Sequence, residues 1–176
     1  MQFLKYLGTI FLALLTALAT AQQIDDYVLG PGDQVAISVF GEADLSVEFT
    51  LGDSGTLNYP FLGEVSIAGL TMPELEKRIA AGLRGDYMIK PEVTVSITQY
   101  RPFFLNGEVN RPGGYPYQPG LTLEKALALA GGLSPRANRG KIVVKRANDP
   151  SGKEVNIKMS DPVRAGDVVT VPQSFF

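Results

Sequence analysis

The chain has 176 residues, 45% hydrophobic and 19% charged, which is enough apolar material for one domain or two very small ones with their own cores. With 16 Lys and Arg against 18 Asp and Glu the net charge is −2, so no basic excess marks a nucleic-acid partner. The chain contains no His and no Cys. That excludes imidazole bases, thiol nucleophiles, disulfides and the usual zinc sites.

Residues 1–21, MQFLKYLGTIFLALLTALATA, carry an early Lys5, an apolar run from Leu7 to Leu18 and a small-x-small close at Ala19-Thr20-Ala21. This is the pattern of a secretory signal peptide, with a mature start at Gln22. The alternative, an uncleaved anchor, needs a longer run, because a spanning helix takes about 20 apolar residues. Cleavage removes one cation and no acid, leaving the mature chain mildly acidic. Without Cys there is no site for lipid attachment, so an exported, periplasmic location without a lipid anchor is expected.

The first extended segment is 27–40, YVLGPGDQVAISVF, in which Val35, Ile37 and Val39 alternate with Ala36, Ser38 and Phe40 after the turn Gly30-Pro31-Gly32-Asp33. Residues 46–71 hold short extended runs cut by Gly52-Asp53, Gly55, Pro60, Gly63 and Gly69, a small turn-rich sheet. The period then changes. Met72, Leu75, Ile79 and Leu83 share one helical face, Thr71 with Glu74 fits a capping box, and Gly85 can end the helix, predicting α over 71–84. Residues 91–100, PEVTVSITQY, return to strand alternation with one buried face.

Arg101-Pro102 marks a joint. Phe103 to Val109 alternates as a strand, Arg111-Pro112-Gly113-Gly114 suits a turn, and Leu123, Ala126, Leu127 and Ala130 form the stripe of a second helix capped by Thr122 and ended by Gly131-Gly132. Strands are expected at 141–146, 154–159 and 167–171, with 148–153, NDPSGK, as a hairpin-type turn. The phrase VRAGDVVTVP, 163–172, echoes LGPGDQVAISVF, 29–40. The fold class is therefore α+β: two small units, each a sheet with a single helix on one face.

Chemistry is sparse. Carboxylates remain, and a hydrolase that works with a pair of them across a cleft would draw on Asp33, Glu42, Asp44, Asp53, Glu64, Glu108 and Asp167. Most sit beside Gly, where a carboxylate ordinarily caps a turn, and that reading is taken for Asp33, Asp53 and Asp167. No phosphate-cradling motif lies between a strand and a helix, since GPGDQV leads into a strand, so no nucleotide cofactor is expected, and no metal. Sugar contact suits the residues better. Tyr100, Arg101, Asn106, Arg111, Tyr115 and Tyr117 offer aromatic faces and planar hydrogen-bonding groups. The alternative for the tyrosines is a half-buried edge position with a wet hydroxyl. Glu76, Lys77, Arg78, Glu124 and Lys125 on the helices are ordinary solvated charges or, in an assembly, subunit contacts.

Taken in order, YVLGPGDQVAISVFGEADLS, GTLNYPFLGEVSIAGLTMPELEKRIAAGL and MIKPEVTVSITQY resemble the bacterial polysaccharide biosynthesis and export proteins of the outer-membrane auxiliary type. FFLNGEVNRPGGYPYQPGLTLEKALALAGGLSPRAN and the closing VRAGDVVTVPQSFF resemble the soluble-ligand-binding β-grasp (SLBB) module that accompanies them. The resemblance implies a signal peptide at 1–21, an export domain at 22–100 and a β-grasp (ubiquitin-like) domain at 101–176. It implies a non-enzymatic role: a homo-oligomeric ring, periplasmic or outer-membrane associated, acting as conduit or adaptor for capsular or exopolysaccharide. The implied partners are the polysaccharide, further copies of the chain, and an inner-membrane chain-length regulator of the tyrosine-kinase copolymerase type. Larger members carry a lipidated Cys, more β-grasp copies and a pore-forming C-terminal helix. A chain without these implies a short periplasmic member served by a separate outer-membrane channel. The alternative function is a periplasmic sugar-binding β-grasp module with no conduit role.

Overall fold

Alternating β-branched residues with one apolar face set the first strand, and the rest of the fold follows from where such faces find cover. The computed structural model describes residues 27–174, so the expected signal segment 1–21 lies outside the described residues. Strand β1 (Gln34–Val39) buries Val35, Ile37 and Val39 as the alternation requires. It is the middle strand of a three-stranded sheet, between β2 (Val47–Thr50) and β5 (Val93–Gln99). Between these come a 3₁₀ turn at Ala43–Leu45 and an antiparallel hairpin, β3 (Thr56–Tyr59) with β4 (Gly63–Ser66).

Helix α1 (Met72–Leu83) starts where its capping box predicts. The Thr71 N–H donates to Glu74 Oε2 at 2.8 Å, and this bond holds the Glu74 carboxyl below the usual carboxylate range. Its stripe of Leu75, Ile79 and Leu83 is fully buried, each side chain contributing about 1.5–3 kcal/mol through loss of apolar surface to water. The core they enter contains Leu29, Ile37, Leu51, Tyr59 and Ile67. An acidic or glycine substitution at Ile79 would remove its centre.

The second sheet has five strands: β6 (Phe103–Gly107), β7 (Gly113–Tyr115), β8 (Val143–Lys145), β9 (Glu154–Asn156) and β10 (Val168–Val171). Their order is β7-β6-β10-β8-β9. The first and last strands of the unit, β6 and β10, run parallel side by side, while β7, β8 and β9 join by antiparallel pairing. Helix α2 (Leu123–Leu129) buries Leu123, Ala126 and Leu127. Second–first–fifth–third–fourth with a parallel central pair and one helix is the β-grasp arrangement. Its core, with Phe103, Leu105, Val144, Val169 and Val171 from the sheet, is separate from the first.

The chain divides into two compact units. One holds the described residues up to Pro31 together with Val35–Ile97. The other holds Gly32–Gln34 together with the chain from Thr98 onward. The short insert Gly32–Gln34 thus belongs with the β-grasp unit although it runs into the first residue of β1. The strand expected at 154–159 is only Glu154–Asn156; Ile157, 7% exposed, joins the core, and its N–H bonds the Ile142 carbonyl at 3.0 Å. No helix among the described residues is long and apolar enough to cross a membrane.

Candidate functional site

The six residues singled out for sugar contact do not converge. Alternation along β6 buries Phe103 and Leu105 and leaves Phe104 and Asn106 on the open face of the sheet, with Asn106 beside Thr170 of β10. Tyr115 lies on the other face. It pairs with Phe103 across the strands, its ring centroid is 5.9 Å from that of Phe103, and its hydroxyl donates to the Arg111 carbonyl. Arg111 is exposed but engaged at the end of α2, where its guanidinium donates to the Leu129 carbonyl at 3.0 Å and its N–H to the Ala130 carbonyl at 3.0 Å. A cation on orphan C-terminal carbonyls is a favourable helix-end interaction.

Tyr100 and Tyr117 do meet. Their rings pack edge to face with centroids 5.4 Å apart, and both are half-buried. Burial pushes the Tyr100 hydroxyl above its ordinary pKa, helped by the negative charge of Asp33. Tyr117 is raised for the same first reason, with Tyr100 and Asp167 adding to it. Both phenols are therefore neutral hydrogen-bonding groups on an apolar ring body.

Arg101 is placed in the interior, 8% exposed. Its backbone N–H donates to Asp33 Oδ1 at 2.8 Å, its Nη1 to Asp33 Oδ2 at 2.8 Å and its Nη2 to Asn148 Oδ1 at 3.2 Å. Its surroundings fit it closely. A Cβ at Gly32 would lie 3.2 Å from Arg101 Cβ, and one at Gly166 would lie 2.8 Å from Arg101 Nε. The structure places Arg101, expected as a sugar-contact residue, in the interior, bonded to Asp33 and Asn148 and not facing solvent.

Asp33 and Asp167 carry more than turn caps. Asp167, 1% exposed, accepts from the Arg164 N–H at 2.8 Å as a cap would, and also from Arg146 Nη1 at 2.6 Å and the Ala147 N–H at 3.3 Å. Asp33 is fully buried against Arg101. The two echoing phrases therefore each sink an Asp beside an Arg, a relation across 68 residues in one case and 21 in the other that spacing does not display. The helix charges are largely engaged within their own unit: Glu76 accepts from the Val95 N–H at 2.9 Å, Arg78 donates to the Ser66 carbonyl at 2.9 Å, and Lys125 Nζ donates to the Gly120 carbonyl at 3.2 Å. Glu76 thereby covers a backbone donor of β5, an edge strand. Among the described residues no three acidic side chains gather as a metal-sized set.

Comparison with known proteins matches this sequence to two families. The family model described as polysaccharide biosynthesis/export protein matches residues 21–98, and the SLBB domain model matches residues 102–158. The chain is 35% identical over 158 residues to the exopolysaccharide production protein ExoF of Rhizobium meliloti (strain 1021), covering 81% of this chain and 37% of that protein. It is 30% identical over 126 residues to the polysialic acid transport protein KpsD of Escherichia coli, covering 70% and 23% respectively. It is 28% identical over 157 residues to the EPS I polysaccharide export outer membrane protein EpsA of Ralstonia nicotianae (strain ATCC BAA-1114 / GMI1000), covering 81% and 40%. The chain thus spans less than half the length of the curated relatives it matches.

Proposed function

The chain belongs to the polysaccharide biosynthesis/export family, with an SLBB module after its export domain, and we propose that it is an exported, non-enzymatic component of capsular or exopolysaccharide secretion. In this reading it works in the periplasm, or held at the outer membrane, as a homo-oligomeric conduit or adaptor. Its partners are the polymer, an inner-membrane chain-length regulator of the copolymerase type and a separate outer-membrane channel. The observation that carries the reading is the succession of the two domain types over residues 21–158, together with similarity to relatives named for exopolysaccharide production and polysaccharide export.

In the β-grasp unit the polymer meets the Tyr100–Tyr117 pair, with Tyr115, Asn106 and Arg111 as flanking hydrogen-bonding groups and Arg101 supporting from beneath. What supports this is the mixed character of the pair, apolar ring bodies with neutral hydroxyls, which suits a ligand that is itself half C–H face and half hydroxyl. Contacts of this kind are individually weak, as a moving polymer requires.

Deleting the gene should abolish surface polysaccharide, and complementation with the full chain should restore it. A deletion strain with normal polysaccharide, in a host without a second copy, overturns the export role. Light scattering on the purified full chain should give a mass several times that of one chain. A strict monomer at high concentration, alone and with its partners, favours the solitary sugar-binding module instead.

A further inference from the structure

The tip of the β3–β4 hairpin is built against its own backbone preferences. The Leu62 N–H closes the turn onto the Tyr59 carbonyl at 3.2 Å, with Pro60 second and Phe61 third. Phe61 has φ of 64°, the one non-glycine among the described residues with positive φ. Pro followed by a positive φ is the pattern of a type II turn, whose third position ordinarily takes Gly or Asn because a Cβ there crowds the backbone. The turn sends Leu62 inward over helix α1, so closely that a Cβ at Gly82 would lie 2.8 Å from Leu62 Cδ1. Phe61 is correspondingly driven outward and left 65% exposed.

A second ring lies beside it. Tyr87 is 49% exposed, its centroid is 4.9 Å from that of Phe61 with the planes 31° apart, and its hydroxyl donates to the Phe61 carbonyl at 3.3 Å. The hairpin's other aromatic behaves oppositely: Tyr59 is 1% exposed and its hydroxyl donates to the buried Leu45 carbonyl at 2.6 Å. Folding accounts for Tyr59 and Leu62. It does not account for a bulky ring held in a left-handed conformation and pointed at water, and such outliers concentrate where a surface has work to do.

We propose that Phe61 and Tyr87 form a saccharide platform on the export domain, a tilted, partly stacked ring pair whose exposed outer face packs against a neutral hexopyranose segment of the passing polymer. This rests on the export reading and adds a contact that reading does not contain. The adjoining open cleft, of ≈ 460 Å³, is lined by Asn58, Tyr59, Pro60, Phe61 and Gly63. None of these is charged, so the occupant is a neutral stretch of sugar and not an anionic one. Asn58 stands opposite Glu64 in the hairpin register, both exposed, giving amide donors and a carboxylate acceptor for ring hydroxyls beside the aromatic face. An open cleft beside an exposed ring suits a chain sliding past, in contrast to the enclosed pockets that hold small ligands.

The test is electrophoresis of the full chain through native gels containing hydroxyethyl cellulose, with cellohexaose titrated against the free chain by NMR. The wild type should be retarded and should show ring-proton shifts for Phe61 and Tyr87. Phe61→Gly relieves the positive φ, so it should keep its thermal stability and lose the retardation, a separation that a merely structural role would not give. Tyr87→Ala should also lose it, whereas Tyr87→Phe, which keeps the ring, should retain it. The proposal is overturned if the wild type is not retarded, or if Phe61→Gly runs like the wild type. It is equally overturned if Phe61→Gly changes the mass seen by light scattering while retardation persists, which would assign the tip to contact between copies. Those failures leave the export role standing, because that role is judged separately by the deletion strain.

Discussion

The buried Asp33–Arg101 pair invites a double-mutant cycle. Asp33 has no exposed surface and Arg101 keeps only 8%, and the two exchange two hydrogen bonds of 2.8 Å. Replacing Asp33 by Ala leaves a guanidinium in the interior without its carboxylate, a change that costs about 3–5 kcal/mol for buried pairs. It also strips the Arg101 N–H of its acceptor, and an unsatisfied buried donor costs about 1–3 kcal/mol. The two losses overlap, because both describe one desolvated residue, so a total of about 4 kcal/mol is expected, a large part of the roughly 5–15 kcal/mol that holds a small domain. Arg101→Met should cost a similar amount by stranding the carboxylate. The double variant D33A/R101M removes both charges and should lose clearly less than the sum, since removing both members of a buried pair strands no charge where half-pairs do. Urea unfolding followed by tyrosine fluorescence, undisturbed in a chain without Trp, gives the four free energies. Amide exchange at Phe104, whose N–H bonds the Asp167 carbonyl at 2.8 Å, reports the β-grasp unit itself. A loss below about 0.5 kcal/mol for Asp33→Ala, the range of ordinary surface changes, would refute the reasoning, as would strictly additive losses.

Gly107→Ala should destabilise the β6–β10 pairing by more than about 2 kcal/mol, because φ is 81° and the added Cβ would fall 2.1 Å from the Val171 carbonyl oxygen. Gly120→Ala, with φ of 79° and nothing within 4 Å, carries only the backbone term of about 1–2 kcal/mol, and equal losses in thermal unfolding would defeat the clash argument. Tyr59→Phe should cost about 1 kcal/mol by denaturant titration, the net worth of its hydrogen bond to the Leu45 carbonyl. Burial raises the hydroxyls of Tyr59, Tyr100 and Tyr117 above 10.0, so the stability they confer is fully present below that pH and lost as pH rises through their folded values. Absorbance titration should show these phenolates appearing late and together with alkaline unfolding, and Tyr117→Phe should push that unfolding to higher pH.

Elements whose cause is local were legible in the sequence. Thr71 with Glu74 marks the start of α1 and Leu75, Ile79 and Leu83 mark its buried face, because capping and the 3.6-residue period are properties of neighbours along the chain. Val35, Ile37 and Val39 announce β1 in the same way. What local pattern cannot state is which strand lies beside which. The parallel register of β6 with β10 joins residues more than 60 positions apart, and only the likeness to β-grasp modules indicated it. The helix charges show the same limit. Glu76 reads as a solvated acid, yet it covers the Val95 N–H on the edge of a sheet whose position the helix sequence does not contain.

The candidate site was less legible than the fold because exposure of a long side chain is decided by what its neighbours lack. Arg101 beside Tyr100 suggests a surface pair suited to sugar. It is buried because Gly32 and Gly166, from opposite ends of the chain, leave room against its Cβ and its Nε, and because each glycine is followed by an Asp that takes part in a buried ion pair. The echoing Gly-Asp phrases are thus two walls of one slot, in which the missing Cβ atoms admit the arginine and the carboxylates neutralise the charges sunk there. Phe61 is the converse case. The sequence does not tell it apart from Tyr59, two positions earlier, which is core. The difference lies in Pro60, which fixes one dihedral, and in Leu62, which claims the space over Gly82, so that the ring between them is left at the surface beside Tyr87. Which aromatic rings of this chain reach the surface is therefore written in the positions of glycine and proline as much as in the aromatic residues themselves.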